Sequence, residues 1–309
     1  MITPGEKIPV LLLIFLWPLF MLAQTNGVPV DHSKHKDLVA LKSDSLINVL
    51  YSKGYHAEAK KKAILISDAY EFLSAIIGPK KDFYVLVVAL EDWSKNAYMP
   101  VPGLPEYYKG NIIVGAGQNA MADDYAQMIG SFPKEMTKAL YQVYQDDAGQ
   151  LDMKLFFDKL AIHELTHNFQ DPNNQSGYSI SRWLEEIHAN MGLYAYYKSE
   201  RPEELKYITT LVDFSVNNPP PNAQFTTLED FDTNYYNMNP GDYGMYQMKF
   251  TKAAQKIIDT LGHDILKPLN RFLIKYDESF KDKISPSELT IKLGQEVHPL
   301  LMEIVNNWE

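Results

Sequence analysis

The stretch AIHELTHNFQ, residues 161–170, decides how the rest of the chain is interpreted. It contains His163 and His167, with Glu164 directly after the first histidine. Residues four apart lie on one face of an α-helix, so both imidazoles can reach a single ion. Glu164 lies on a neighbouring face, from which it would reach a water molecule at the ion rather than the ion itself. Two histidines and a glutamate in this order are typical of a helical zinc site in which the glutamate is the general base.

The residues around this motif favour a helix. Within LFFDKLAIHELTHNF, residues 155–169, apolar side chains recur at helical spacing and no helix breaker interrupts them. Leu160 and Leu165 are expected to face the core. The two histidines would then lie on a rigid element, as a metal site requires.

A third ligand is needed, because a catalytic zinc ion takes three protein ligands and keeps a fourth position open. The candidates lie in SRWLEEIHANMGLYAYYKSE, residues 181–200, which is predicted to form a helix antiparallel to the first. This segment offers Glu185, Glu186 and His188. The residue types alone leave the choice between them open.

The combination of HELTH and WLEE resembles the gluzincin metallopeptidases, the group that contains thermolysin and the aminopeptidase N-like enzymes. In the aminopeptidase branch, eighteen residues separate the second histidine from a ligand glutamate within a W-L-x-E sequence. Here eighteen residues, 168–185, separate His167 from Glu186, and WLEE spans residues 183–186. The ligands that the resemblance implies for Zn²⁺ are His163, His167 and Glu186.

The same resemblance implies a tyrosine that donates a hydrogen bond to the oxyanion, at the start of a later helix. GDYGMYQMKFTKAAQKIIDTLG, residues 241–262, opens such a helix and contains Tyr243 and Tyr246. The family pattern places a phenylalanine four residues after the tyrosine and a Leu-Gly pair about fifteen residues after it. The residues at 250, 261 and 262 match this pattern for Tyr246. Tyr246 is therefore the predicted catalytic tyrosine, and Tyr243 is the alternative.

Two further positions bear on the resemblance. Asn190, one turn after Glu186, is placed to hold a ligand histidine through a hydrogen bond. The aminopeptidase motif G-x-M-E-N is absent, since VGAGQNAM at 114–121 contains no glutamate to capture a free amino terminus. The resemblance thus implies zinc chemistry without implying aminopeptidase specificity.

The expected fold is α+β, and the resemblance implies a thermolysin-like zincin catalytic domain. Apolar spacing predicts helices over 37–50 and 56–77, and β-branched runs predict strands over 82–92 and 111–117. A long irregular segment is expected over 216–242. Further helices are predicted at about 133–145, 151–170, 179–199, 202–216, 243–262, 264–276 and 286–307, the last of them broken near Gly294.

The first 23 residues have the composition of a cleavable secretory signal. A charged start precedes the apolar run IPVLLLIFLWPLFMLA, residues 8–23, which is too short for a bilayer span and contains Pro18. We expect cleavage before Gln24 and a single zincin-like domain over 24–309. Its N-terminal α/β lobe would cover about 31–170, and its helical lobe about 171–309.

The overall composition argues against several classes of function. The chain has 309 residues, a formal net charge of −10 and no cysteine. Such a charge disfavours nucleic-acid binding. The lack of cysteine excludes a thiol nucleophile, a cysteine-bound zinc site and a lipid-modified cysteine.

The sequence therefore predicts a secreted or periplasmic zinc-dependent metallopeptidase that acts on a peptide or protein substrate. No stable membrane span is expected after signal cleavage. The alternative is a non-catalytic or non-peptidase zinc-binding protein on a gluzincin scaffold. The oligomeric state and the physiological substrate stay open.

Overall fold

The computed structural model describes residues 30–42, 47–80, 83–117, 119–174, 180–220, 222–278 and 284–308. The predicted signal peptide over residues 1–23 lies outside these ranges. Among the helices of the described ranges, none is both long enough and apolar enough to cross a bilayer.

A small mixed sheet forms the first part of the fold. Its strands are β1 (Val39–Ala40), β2 (Asn48–Tyr51), β3 (Tyr84–Val88), β4 (Glu106–Tyr108) and β5 (Asn111–Gly115), in the order β1-β2-β3-β5-β4. The three central strands β2, β3 and β5 run parallel, whereas β1 and β4 pair antiparallel at the two sides. Val49, Val85 and Ile112 lie side by side across these central strands and are all buried. Continuous burial of this kind is typical of parallel strands.

Helices dominate the rest of the fold. Their bounds are α1 (His56–Ile77), α2 (Trp93–Asn96), α3 (Ala120–Gly130), α4 (Lys134–Tyr144), α5 (Lys154–Phe157), α6 (Leu160–Gln170), α7 (Arg182–Glu200), α8 (Lys206–Asn217), α9 (Leu228–Asn234), α10 (Pro240–Leu261), α11 (Leu266–Glu278), α12 (Pro286–Glu296) and α13 (Pro299–Asn306). The predicted helix over 56–77 is confirmed as α1, which is followed by Gly78 with a φ of 123°. The fold is thus a mixed α/β arrangement with a five-stranded sheet.

The predicted helix over 37–50 is wrong. Its described residues contain strands β1 and β2 instead. Leucines at helical spacing suggested the helix, but Val49 and Leu50 find partners in Val85 and Leu86 of β3. Because backbone pairing with a buried neighbouring strand outweighs the weak helical preference of a short segment, the tertiary context decides here.

The helix predicted over 151–170 is divided into α5 and α6, and two further predictions also differ from the structure. The helix predicted over 286–307 breaks at 297–298, not at Gly294, because the His298 side chain accepts a hydrogen bond from the Leu300 N–H and Pro299 starts α13. The segment predicted as irregular, 216–242, contains α9. A capping box formed by Thr227 and Asp230 explains where that helix begins.

The zinc-motif helix α6 and the following helix α7 approach each other closely at Gly192. A Cβ atom at this position would lie 2.2 Å from Oγ1 and 2.7 Å from Cγ2 of Thr166. Thr166 lies between His163 and His167 on α6, so the contact sets the spacing between the helices that carry the candidate ligands. The lobe boundary predicted at 170/171 falls between these two helices and stays a prediction.

Gly192→Ala is therefore expected to destabilise the protein by about 1–3 kcal/mol, because the added methyl group forces α6 and α7 apart. Urea unfolding followed by circular dichroism measures the effect. Gly130→Ala on α3 is the matched control, since a Cβ atom added at Gly130 would have no neighbour within 4 Å. Thr166→Ala should restore part of the stability in the double variant. Equal stability of the Gly192 and Gly130 variants would show that the helices tolerate a wider spacing.

Candidate metal centre

Helix α6 presents two imidazoles on one face. The Nε2 atoms of His163 and His167 lie 3.0 Å apart, and the rings are nearly perpendicular at 79°. His163 is buried, whereas His167 is partly exposed. The four-residue spacing on an unbroken helix accounts for this arrangement.

Helix α7 brings a carboxylate to the same point. Glu186 Oε2 lies 3.1 Å from His163 Nε2 and 3.6 Å from His167 Nε2. The possible ligand atoms of the three residues all lie within 4.8 Å of one another. The structure thus brings together the two histidines of the motif and the glutamate that follows after eighteen intervening residues.

These distances fit a zinc ion. Zinc bonds to nitrogen and oxygen are about 2.0–2.2 Å long, and a tetrahedral arrangement then separates neighbouring ligand atoms by about 3.3–3.6 Å. The observed separations of 3.0, 3.1 and 3.6 Å are within a few tenths of an ångström of that range. Two imidazoles and one carboxylate are also a common donor set of catalytic zinc sites, which keep a fourth position open.

The other candidate ligands lie elsewhere. Neither Glu185 nor His188 belongs to the metal-binding group found among the described residues. His188 is fully buried on α7. Its Nδ1 lies 2.9 Å from Gln170 Nε2 and its Nε2 lies 3.1 Å from the Leu266 carbonyl oxygen. Burial lowers the pKa of His188 to about 4, so its imidazole is neutral near pH 7.

Asn190, on α7, forms a hydrogen bond with His163 of α6. Its Oδ1 lies 3.2 Å from His163 Nδ1, and its Nδ2 donates to the Glu186 carbonyl oxygen at 2.9 Å. The Glu186 carbonyl oxygen can only accept, which fixes the Asn190 amide in this orientation. His163 Nδ1 must therefore carry the proton, which leaves the Nε2 lone pair for a metal.

Glu164 faces the centre without joining it. Its side chain is partly exposed between buried neighbours, and its carboxylate accepts a hydrogen bond from the Tyr107 backbone N–H. Burial raises the pKa of Glu164, the Glu186 charge adds to this, and the two histidines oppose it. A carboxylate with a raised pKa beside a metal site is suited to proton transfer.

Strand β4 is fixed beside Glu164 by a second buried carboxylate. Glu106 accepts hydrogen bonds from the backbone N–H groups of Tyr98 and Met99 at 2.7 and 2.6 Å. Burial raises the pKa of Glu106 to about 7, and the charge of Glu164 contributes to that rise. The loop before β4 and the strand itself are thereby held next to the candidate general base.

Gln247 links the metal centre to a tyrosine. Its Nε2 donates to Glu186 Oε2 at 2.9 Å and to the Tyr243 hydroxyl at 3.0 Å. Tyr243 also shares a hydrogen bond with Tyr235, and the charges of Glu186 and Glu164 act on both tyrosines. Burial and these charges raise the pKa of the Tyr243 hydroxyl well above its ordinary value, so it stays protonated and able to donate.

Tyr246, the tyrosine that the family pattern selected, is directed away from this group. Its hydroxyl donates to the Thr227 carbonyl oxygen at 2.6 Å, and its ring packs against Phe231, Phe250 and Trp308. The nearby charges that affect it are those of Asp230 and Asp242. The structure therefore places Tyr243, not Tyr246, beside the candidate ligands.

Some residues of the site were not identified from the sequence, although local spacing held a signal for two of them. Gln170 is three residues after His167, and its Oε1 lies 2.8 Å from His167 Nδ1. Gln247 is four residues after Tyr243 on α10. Both spacings put side chains on one helix face. Tyr235 had no such signal, because the fold alone brings it to the site. His188 was named only as a candidate ligand, and its contact with Gln170 likewise depends on the fold.

Zinc binding is expected to release about one proton near pH 7.5. Burial lowers the pKa of His167, but the hydrogen bond and charge of Glu186 outweigh it and raise the pKa to about 10. An imidazole that ligates a metal must give up its Nε2 proton, so zinc and a proton compete for His167. Affinity should accordingly rise with pH up to about 10. Isothermal titration calorimetry in buffers of different ionisation enthalpy counts the protons, and a count of zero at pH 7.5 would contradict the raised pKa.

The chain shows only limited similarity to known proteins. No family model and no curated protein matches the chain. It is similar in structure to an M1 zinc metallopeptidase from Deinococcus radiodurans, with a TM-score of 0.44 and 13% identity over 87% of this chain and 50% of that one. A mutant of an M1 zinc metallopeptidase from the same organism gives a TM-score of 0.43 and 14% identity, with the same coverage. The chain thus spans about half the length of these structures, and the candidate metal centre is supported by its own side-chain geometry.

Proposed function

We propose that the protein is a zinc-dependent metallopeptidase of the gluzincin type. The observation that carries this proposal is the convergence of His163, His167 and Glu186, with the carboxylate of Glu164 beside them but outside the ligand group. A site that only held a metal would have no use for this fourth side chain. A general base next to an open metal position is the arrangement that hydrolysis requires.

The reaction would use the metal and Glu164 together. A zinc ion held by two imidazoles and a carboxylate supplies Lewis acidity, which lowers the pKa of a water molecule and polarises a carbonyl group. Glu164 would take the proton from the attacking water and later give it to the leaving amine. The Tyr107 N–H holds the carboxylate in position for both transfers.

Tyr243 would stabilise the oxyanion that forms when water adds to the carbonyl. Gln247 donates a hydrogen bond into the Tyr243 oxygen, so the hydroxyl proton of Tyr243 must point elsewhere. It is then available to Tyr235 or to a substrate oxygen. A donor placed in advance where negative charge develops stabilises the transition state more than the ground state.

An extended substrate would lie along the outer edge of β4. Strand β5 does not offer a free edge over residues 111–113, because it lies between β3 and β4 there. Strand β4 is the last in the sheet order, and its Tyr107 N–H meets Glu164. A peptide added at that edge would therefore run past the general base.

Export from the cytoplasm and the peptide or protein nature of the substrate remain parts of this proposal. The first rests on the composition of residues 1–23 and the second on the resemblance of the HELTH and WLEE sequences to gluzincins. The cleaved chain over 24–309 would be secreted or would act in the periplasm.

A digest of a mixed peptide library tests the proposed activity. Mass spectrometry should find new peptide termini after incubation with the zinc-loaded protein, none after treatment with a chelator, and recovery after zinc is added back. A protein that binds one zinc ion but leaves the whole library intact would instead be a zinc-binding protein without peptidase activity.

A further inference from the structure

A buried hydrogen-bonded chain leads from the backbone of α11 to the imidazole of His167. The Leu266 carbonyl oxygen lies 3.1 Å from His188 Nε2, and His188 Nδ1 lies 2.9 Å from Gln170 Nε2. At the other end, Gln170 Oε1 lies 2.8 Å from His167 Nδ1. His188 and Gln170 are both almost completely buried, so water does not compete for these contacts.

Each hydrogen bond in this chain has only one possible direction. A backbone carbonyl oxygen can only accept, so His188 must carry its proton on Nε2. The His188 Nδ1 is then an acceptor, and Gln170 must turn its NH₂ group toward it. The second hydrogen of this NH₂ group goes to the Glu185 carbonyl oxygen at 2.9 Å.

The orientation of Gln170 in turn fixes the protonation of His167. With the NH₂ group facing His188, the carbonyl oxygen of Gln170 faces His167 Nδ1, which must therefore be the donor. The Nε2 lone pair of His167 is then free for the metal. A flipped Gln170 amide would present a donor to Nδ1 and favour the tautomer that carries its proton on Nε2, which cannot bind zinc.

We infer that His188 and Gln170 are positioning residues that hold His167 in its metal-binding tautomer. The inference rests on the metal site of the proposed function, but not on peptide hydrolysis. Glu185 contributes a second acceptor for Gln170, so loss of His188 should weaken the restraint without abolishing it.

The first test uses the unaltered protein, labelled with ¹⁵N-histidine and loaded with zinc. Long-range ¹H–¹⁵N correlation spectra should show His188 protonated on Nε2 only and His167 protonated on Nδ1 only. A proton on Nδ1 of His188 would overturn the inference, whether or not the protein cleaves peptides. This measurement does not depend on the folding of any variant.

The second test measures zinc affinity by competition with a chromophoric chelator. His188→Leu and Gln170→Met should each weaken zinc binding about 10- to 100-fold, as is typical when the partner of a ligand histidine is lost. Because the two residues act in series, the double variant should bind zinc no more weakly than Gln170→Met alone. Unchanged zinc affinity in His188→Leu, or additive losses of affinity in the double variant, would contradict the inference that the two residues act in series on His167.

Two variants separate positioning from simple stability. His188→Asn places an amide oxygen close to the position of Nδ1, so it should keep zinc affinity within about threefold of the parent although the Leu266 contact is lost. Leu193→Ala removes a buried apolar side chain on the same helix and should lower the melting temperature without changing zinc affinity. If His188→Asn and His188→Leu lose equal affinity, His188 has only a structural role. A parent protein that binds zinc but cleaves nothing would remove the proposed function and leave the inference intact.

Discussion

Glu164→Gln is expected to lower kcat about 10²- to 10⁴-fold while zinc affinity stays close to that of the parent protein. The amide has nearly the shape of the carboxylate and can still accept a hydrogen bond from the Tyr107 N–H. It cannot accept the proton of the attacking water. Because Glu164 lies outside the group of ligand atoms, its replacement should leave the metal in place.

Measured kcat and zinc content of the same Glu164→Gln preparation check both halves of this expectation. Glu185→Gln is the matched control, since Glu185, like Glu164, lies outside the group of ligand atoms, and it should retain both zinc and turnover. If Glu164→Gln cleaves peptides at the parent rate, another group accepts the proton.

Tyr243→Phe is expected to lower kcat about 10²- to 10³-fold with little change in KM, because a donor to the oxyanion acts mainly in the transition state. Its hydroxyl lies 3.0 Å from Gln247 Nε2, and the same nitrogen holds the candidate ligand Glu186. Loss of the hydroxyl removes the donor and leaves these ligand contacts in place.

Tyr246→Phe supplies the control on the same helix. Its hydroxyl donates to the Thr227 carbonyl oxygen, so its loss should cost about 1 kcal/mol of stability and leave kcat within about twofold of the parent value. Steady-state kinetics should therefore show a large loss of kcat in Tyr243→Phe only, and urea unfolding should show the loss of stability in Tyr246→Phe. A large loss of kcat in Tyr246→Phe with none in Tyr243→Phe would show that Tyr246, which the family pattern selects, donates to the oxyanion.

The local sequence was sufficient to predict the part of the site that lies on one helix. His163 and His167 meet because residues four apart always lie on the same helical face, whatever surrounds the helix. Eighteen residues lie between His167 and Glu186, and only the resemblance to a known family identified Glu186 as the third ligand. Strand β3 and helix α1 were similarly evident from residue type and spacing.

The remaining features depend on how elements pack together. Tyr243 and Tyr246 differ by three residues on α10, which is only about 60° around the helix axis. Their separate directions depend on Thr227 and Phe231 in a segment where the sequence predicted no helix. His188 became a buried partner of Gln170 only because α11 covers it. Contacts of this kind are distant in the sequence, so residue spacing does not reveal them.

Titration of metal-free protein with zinc, followed by the turnover of a cleavable peptide, tests whether one zinc ion held by His163, His167 and Glu186 drives peptide hydrolysis. Turnover should rise in proportion to added zinc and level off at one equivalent per chain. In Glu186→Gln, this break at one equivalent should be lost. Turnover that is the same with and without zinc, or no turnover at any zinc concentration, would contradict the claim.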